Sequence, residues 1–444
     1  MEVPPRYSLL ALAGRALRHR NFRLFTIGQS ISLIGTWMQQ VAVGWLVYRL
    51  TDSPFLLGLV GFVSQGPMFL LAPLAGVLAD RHDKRRILLV TQTLMALQAG
   101  TLAVLVLTDT VVIWQIILLM AVLGALNGFD IPARQSFLIE MVGHREDLPN
   151  AIALNSSMFN GARLVGPAIA GLVVAAVGEG ICILINAVSY LAVLGALLAM
   201  RIAPRDRAAT RGAVLQHMTE GFRYAYGFLP IRSILSLVAF VSLVAVPFSV
   251  LLPVVATDVL GGGAATLGFL MAAVGLGALA GALFLASRTT VRGLSRVIAA
   301  SATIFGVALV AVAVSRTLWL SLGCLAVAGF GMMVQMASSN TVLQTIVDDD
   351  KRGRVMSLYS MAFTGMAPVG ALFGGAVASA VGAPITIALG GLGCLAGAGV
   401  FTLKLPRLRE NIRPIYARLG IIPEVATGIQ AATHDTRPRG ANGT

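Results

Sequence analysis

The sequence predicts an all-α membrane protein with twelve transmembrane helices in two six-helix, pseudo-symmetric halves. Three observations carry this. The chain holds twelve apolar runs of about 20 residues each, the length a helix needs to cross about 30 Å of hydrocarbon. Of its 33 Lys and Arg residues, 30 fall in alternate gaps between those runs, the bias that keeps positive charge cytoplasmic. The halves also repeat: a shift of 201 residues puts Gly128 on Gly329, Ser156 on Ser357 and Pro167 on Pro368.

In chain order, a basic tail (1–23) with Arg15, Arg18, Arg20 and Arg23 precedes a run at 24–48. That run is long enough to span and lacks a small-residue cleavage site, so it reads as a helix and not a removed signal. Runs at 55–79 and 87–108 flank the basic gap Arg81, Lys84, Arg85 and Arg86. Runs at 111–134 and 150–177 flank Arg134 and Arg145, and a run at 180–201 closes the first half, 24–201. The linker 202–232 is the longest gap and is strongly basic. The second half, 233–405, holds runs at 233–257, 265–286, 297–314, 317–341, 354–380 and 383–404, with basic gaps around Arg288–Arg296 and Lys351–Arg354. A basic tail, 406–444, follows. The other gaps hold only Arg49 and Arg316, and Arg163 lies inside a run. Both tails and the linker are therefore expected in the cytoplasm. Two six-helix halves in parallel repeat are the pattern of secondary transporters, with the substrate site between the halves near the midplane.

Composition narrows the classes. Only 12% of residues are charged against about 25% in soluble domains, and mean hydropathy is +0.84. The basic pI near 10.7 does not indicate nucleic acid, because the topological bias accounts for nearly every basic residue. Some of these residues are expected to meet anionic lipid headgroups. Cys182, Cys324 and Cys394 lack metal spacing and read as small buried hydrophobes. All five histidines fall in basic gaps or tails, so no metal or haem is expected within the bilayer. No cofactor is expected, and the absence of a Gly-x-x-x-x-Gly-Lys-Ser/Thr loop argues against ATP as driver.

The gap from Gly76 through Asp80, Arg81, Asp83 and Lys84 to Arg85 and Arg86 closely resembles the loop between helices 2 and 3 of the major facilitator superfamily, departing at Asp83 where many members have Gly. The resemblance implies that Gly76, Asp80, Arg81 and Arg85 help latch the halves in an outward-facing state. Gly161, Arg163, Gly166, Pro167 and Gly171 resemble the Gly-x-x-x-x-Gly-Pro-x-x-x-Gly signature of its antiporter-type members. Asn21 to Phe25, Trp37 to Gln40, Thr51 to Pro54, Asp130 to Gln135 and Glu220 to Tyr224 are similar to the siderophore and drug efflux branch that includes the enterobactin exporter. One departure matters. Where many proton antiporters have Arg-x-x-Gln-Gly in span 4, this chain has Gly124 to Gly128 with Asn127.

Few charges enter the spans. Arg163 lies near the middle of span 5, where a lone charge is costly. Asp130 in span 4 is the nearest intramembrane carboxylate, and Arg134, four residues on, offers it a local ion pair. Two readings stand: a coupling device in which Arg163 holds Asp130 ionised, or a structural tie between spans 4 and 5. Trp37, Gln39, Gln40, Asn160, Gln335, Tyr359 and Phe363 are candidates to line a substrate cavity.

The function expected from these features is secondary transport: a monomeric, proton-coupled exporter of small amphipathic molecules, in a bacterial inner membrane, working by alternating access. A siderophore, a drug or a lysolipid would fit. An intramembrane enzyme lacks its nucleophile–base or metal set. A non-transporting sensor or scaffold is disfavoured by tails with no recognisable output domain.

Overall fold

The computed structural model describes residues 15–142, 145–201, 222–288 and 290–421, and the side chains of 72–73, 76–77, 79–81 and 145 fall outside that description. Helices follow the expected order: α1 (Arg20–Thr51), α2 (Pro54–Arg81), α3 (Lys84–Leu107) and α4 (Ile113–Met141). The next helical run, Leu148–Ala199, has 52 residues and would extend about 78 Å if straight, over twice the hydrocarbon thickness. It breaks at Gly178, with φ 83° and ψ 170°, a conformation essentially reserved for glycine. This gives α5 (148–177) and α6 (179–199). The second half comprises α7 (Leu229–Val259), α8 (Ala264–Ala286), α9 (Leu294–Val314), α10 (Leu318–Ile346), α11 (Arg352–Val381) and α12 (Ala383–Arg418). All are long and apolar enough to cross a membrane. α1, 32 residues long, brings the described helices of spanning length to twelve.

The repeat has a structural counterpart. Between α11 and α12 the chain turns at Gly382, with φ 88° and ψ 154°, nearly the conformation of Gly178. Ala176-Val177-Gly178 and Ala380-Val381-Gly382 carry the same residues into the same turn.

Local chemistry sets the other turns. Asp52 takes a left-handed φ of 45° as α1 ends, and Ser53 then caps α2 by accepting from the Leu56 amide at 3.3 Å, with Pro54 at the first helical position. Asp83 caps α3 by accepting from the amides of Arg85 (2.9 Å) and Arg86 (3.3 Å). This gives a role to the residue that departs from the superfamily loop. At the basic side, Arg15 and His19 hold Asp147 at 2.5 and 2.8 Å. The hydrogen bond with His19, helped by Arg15, holds the Asp147 carboxyl below its usual range despite partial desolvation.

The largest departure from the expected bounds is at the C-terminal end. The tail from 406 begins as helix, because α12 continues to Arg418 with Leu408, Ile412 and Tyr416 buried at four-residue spacing. The linker residues 202–221 and the tail residues 422–444 lie outside the described residues.

Within each half, α1 packs along α5–α6, α2 on α4, and α10 on α8 and α9. Between halves, α5 meets α8 and α2 meets α11. The orientation is testable. Single cysteines at positions 110 and 316, in a background lacking the three native cysteines, should label with an impermeant thiol reagent in intact cells. One at 210 should stay protected, and the opposite pattern would overturn the topology.

Candidate functional site

The site forms along the seam between halves. On α1, Gly44 faces Pro253 of α7, and a Cβ there would meet the ring at 3.7 Å. Tyr48 donates its hydroxyl to Asp258 of α7 at 2.6 Å. Trp37 lies seven and eleven residues before these two, close to the same helical face, so it points at the seam. There its ring meets Phe159 edge-on at 5.8 Å and lies 5.8 Å from the Arg163 guanidinium carbon. The α5 signature places this contact. A Cβ on Gly166 would sit 2.6 Å from the Trp37 Cβ, so only glycine lets α5 lie this close to α1. Across the seam, a Cβ on Gly275 of α8 would sit 3.0 Å from the Arg163 carbonyl oxygen. Pro167 is buried one turn beyond Arg163, and its carbonyl lies against Gly268 of α8.

The Arg163–Asp130 pair does not form. Asp130 is buried on α4 and turns toward α3, where it accepts from Thr91 (2.9 Å) and Gln92 (2.8 Å), with Arg134 at 3.6 Å. α4 makes little contact with α5, and the Arg163 guanidinium lies against the Trp37 ring instead. The local pair with Arg134 is the one realised. The missing span-4 arginine also has a steric reason. A Cβ at Gly124 would lie 2.7 Å from the Ser64 carbonyl oxygen of α2, leaving no room for a side chain.

The cavity candidates divide. Trp37 and the exposed Gln40 lie on the seam side of α1. Gln39 instead points into its own half, donating to Gln98 of α3 at 3.4 Å and accepting from Asn186 of α6 at 2.5 Å. Asn160 is half-buried and donates to the Ser156 carbonyl at 2.9 Å. Gln335 is fully buried in α10, and neither amide atom has a partner among the described residues. Tyr359 donates to the Met336 carbonyl at 2.9 Å, and so ties α11 to α10 and does not line an open cavity. Phe363 is half-buried in a π-helical turn of α11, Met361–Gly365.

Of the loop signature, Gly76 and the side chains of Asp80 and Arg81 lie outside the described residues. Arg85 bonds the carbonyls of Leu197 (2.8 Å) and Leu198 (3.0 Å), capping the end of α6. Lys84 pairs with Glu140 of α4 at 2.5 Å.

The side away from the basic loops was not recognised as a site in the sequence. Here the halves press together through glycines. A Cβ on Gly268 of α8 would lie 2.6 Å from both the Gly171 Cα and the Pro167 carbonyl oxygen. One on Gly58 of α2 would lie 2.5 Å from the Ala371 carbonyl oxygen of α11. A cleft of about 470 Å³ lies beside this closure, lined by Tyr48, Asp52, Asp258, Arg316 and Ser379 among others. Toward the basic side α5 exposes the polar Ser156 and Ser157 between Ile152 (50%) and Phe159 (44%), whereas Leu172 and Val177, exposed on its other side, are apolar.

Twelve spans in two repeated halves define a major facilitator transporter. Residues 12–421 match the family described as transmembrane secretion effector, and the chain belongs to it. It is 26% identical to the staphyloferrin A transporter of Staphylococcus aureus, over 85% of this chain and 95% of that one. It is 29% identical to the multidrug efflux pump Tap of Mycolicibacterium fortuitum, over 85% and 93%, and 27% identical to the enterobactin exporter EntS of Shigella boydii, over 80% and 85%. Among solved structures, a bacterial homologue of the human lysosomal transporter Spinster, inward-facing and unoccupied, superposes with a TM-score of 0.67. That match covers 92% of this chain and 99% of that one at 14% identity. The protein is thus a multi-pass membrane transporter and not an enzyme, and its bacterial relatives point to the inner membrane.

Proposed function

We propose that the chain exports small amphipathic molecules by alternating access, driven by inward proton flow. The observation that carries this reading is the asymmetry of the seam. Close approaches between halves at Gly58, Gly171 and Gly268 and the Tyr48–Asp258 hydrogen bond lie on the side away from the basic loops. α5 exposes the polar Ser156 and Ser157 toward the basic side, which suits a water-filled opening and not a lipid face. That is the geometry of a carrier closed to the exterior and open to the cytoplasm, the state from which an exporter loads. Relatives named as efflux pumps and as an enterobactin exporter favour the export direction.

Asp130 is our candidate proton carrier. It is a buried carboxylate held by Arg134 and by the donors Thr91 and Gln92. Proteoliposomes containing the protein, with an imposed pH gradient, test the proposal. Accumulation of substrate against its gradient, abolished by a protonophore, is expected. Downhill flux insensitive to the pH gradient would favour a facilitator.

The loop signature makes a further prediction. Asp80→Asn should slow transport at equal expression, by shifting the balance of access states by about 1–3 kcal/mol. Unchanged efflux would leave the loop a role in topology alone.

A further inference from the structure

We propose that the transported molecule carries an acidic group, and that Arg163 receives it while Trp37 and Phe159 flank its apolar body. This rests on the transport reading and names the class of substrate. Arg163 sits at mid-helix in α5, 15 residues from one end of 148–177 and 14 from the other. A cation at that depth is costly without an anion. No acidic group answers it among the described residues. Asp130 is held by Arg134, Thr91 and Gln92. Asp258 accepts from Tyr48, Glu179 pairs with Arg49 at 2.7 Å, and Glu140 pairs with Lys84. The contact shown for the guanidinium is the Trp37 ring, which leaves its in-plane N–H donors unused.

Position turns that vacancy into a binding argument. Trp37 faces the seam, Phe159 is exposed on the open side, and Gly275 of the other half lies against the Arg163 backbone. A guanidinium offers a planar fork that matches a carboxylate or another oxyanion with two parallel hydrogen bonds. In a low-dielectric path the same charge repels cations, so the site rejects as well as selects. The aromatic pair supplies a wall for a flat apolar body. Amphipathic acids are therefore favoured over cationic amphiphiles.

The test uses three naphthyl amphiphiles identical except for a carboxylate, a carboxamide or a trimethylammonium head. Transport of each is measured in proteoliposomes with the full chain. Wild type should move the carboxylate at least ten-fold faster than the trimethylammonium. Arg163→Gln should lower the carboxylate-to-carboxamide ratio about ten-fold, and Arg163→Lys should keep part of it. Binding to detergent-purified protein should follow the ionised fraction of the carboxylate probe as pH falls. Wild-type indifference to the head group, or an unchanged ratio in Arg163→Gln, overturns anion recognition and leaves transport standing. Failure of wild type to move any of the three counts against transport itself and carries this inference with it. Should Arg163→Gln not fold, the wild-type head-group ratio and the Arg163→Lys variant decide.

Discussion

Asp130→Asn should abolish uphill efflux while downhill movement of substrate continues. The carboxylate is buried at the α3–α4 contact, where Thr91 and Gln92 donate to it and Arg134 lies 3.6 Å away. Asparagine has nearly the same shape and cannot exchange a proton. A structural explanation predicts a different pattern. Removing one partner of a buried charge pair costs about 3–5 kcal/mol, mainly through the charge left behind. Here the Arg134 side chain is 19% exposed, so solvent offsets part of that cost. The double variant Asp130→Asn/Arg134→Gln separates the two accounts. A purely structural pair would regain both stability and pumping once both charges are gone. A coupling carboxylate would regain stability only. Uphill transport in Asp130→Asn, measured against a known gradient, would place the proton path elsewhere.

The fold was legible because its signals are summed over many residues. Thirty basic side chains in alternate gaps between twelve apolar runs outvote any local ambiguity, and the structure follows, with the largest extensions at the ends of α4 and α12. The site was less legible because its geometry depends on which face each helix turns inward. Gln39 and Gln40 are adjacent and chemically identical, yet one joins the Gln98–Asn186 network within its half and the other is exposed. Asp130 and Arg163 looked complementary by depth alone, but depth says nothing of lateral position, and α4 and α5 are not neighbours. Thr91 and Gln92 left a trace, two polar residues inside an apolar run, that was not linked to Asp130. Asp258 fell one residue beyond the expected end of span 7, and the π-helical turn Val255–Val259 carries it into the seam opposite Tyr48. Gly171 belongs to the span-5 signature, but its partner Gly268 gives no signal of its own among 48 glycines.

Those two glycines support the second large effect. Gly268→Leu should drive the seam open on the outer side and stop transport. Its Cβ would fall 2.6 Å from backbone atoms of Gly171 and Pro167, and backbone cannot swing aside as a side-chain tip can. The halves would have to separate there, losing the Tyr48–Asp258 hydrogen bond as well. A hydrogen bond to a charged group contributes about 1.5–3 kcal/mol, and overpacking typically costs about 1–3 kcal/mol more. A penalty of that combined size on one state moves a two-state balance by roughly two to four powers of ten, since each 1.4 kcal/mol is tenfold. Gly44→Cys reports the change, since its side chain is accommodated against Pro253 at ordinary contact distance when the seam is shut. In a background without native cysteines, external impermeant reagent should label it slowly in the parent and rapidly in Gly268→Leu. Tyr48→Phe, which loses only the hydrogen bond, should fall between them. Equal labelling in all three, with each protein folded and inserted, would mean that the outer seam is a fixed contact and that access does not alternate there.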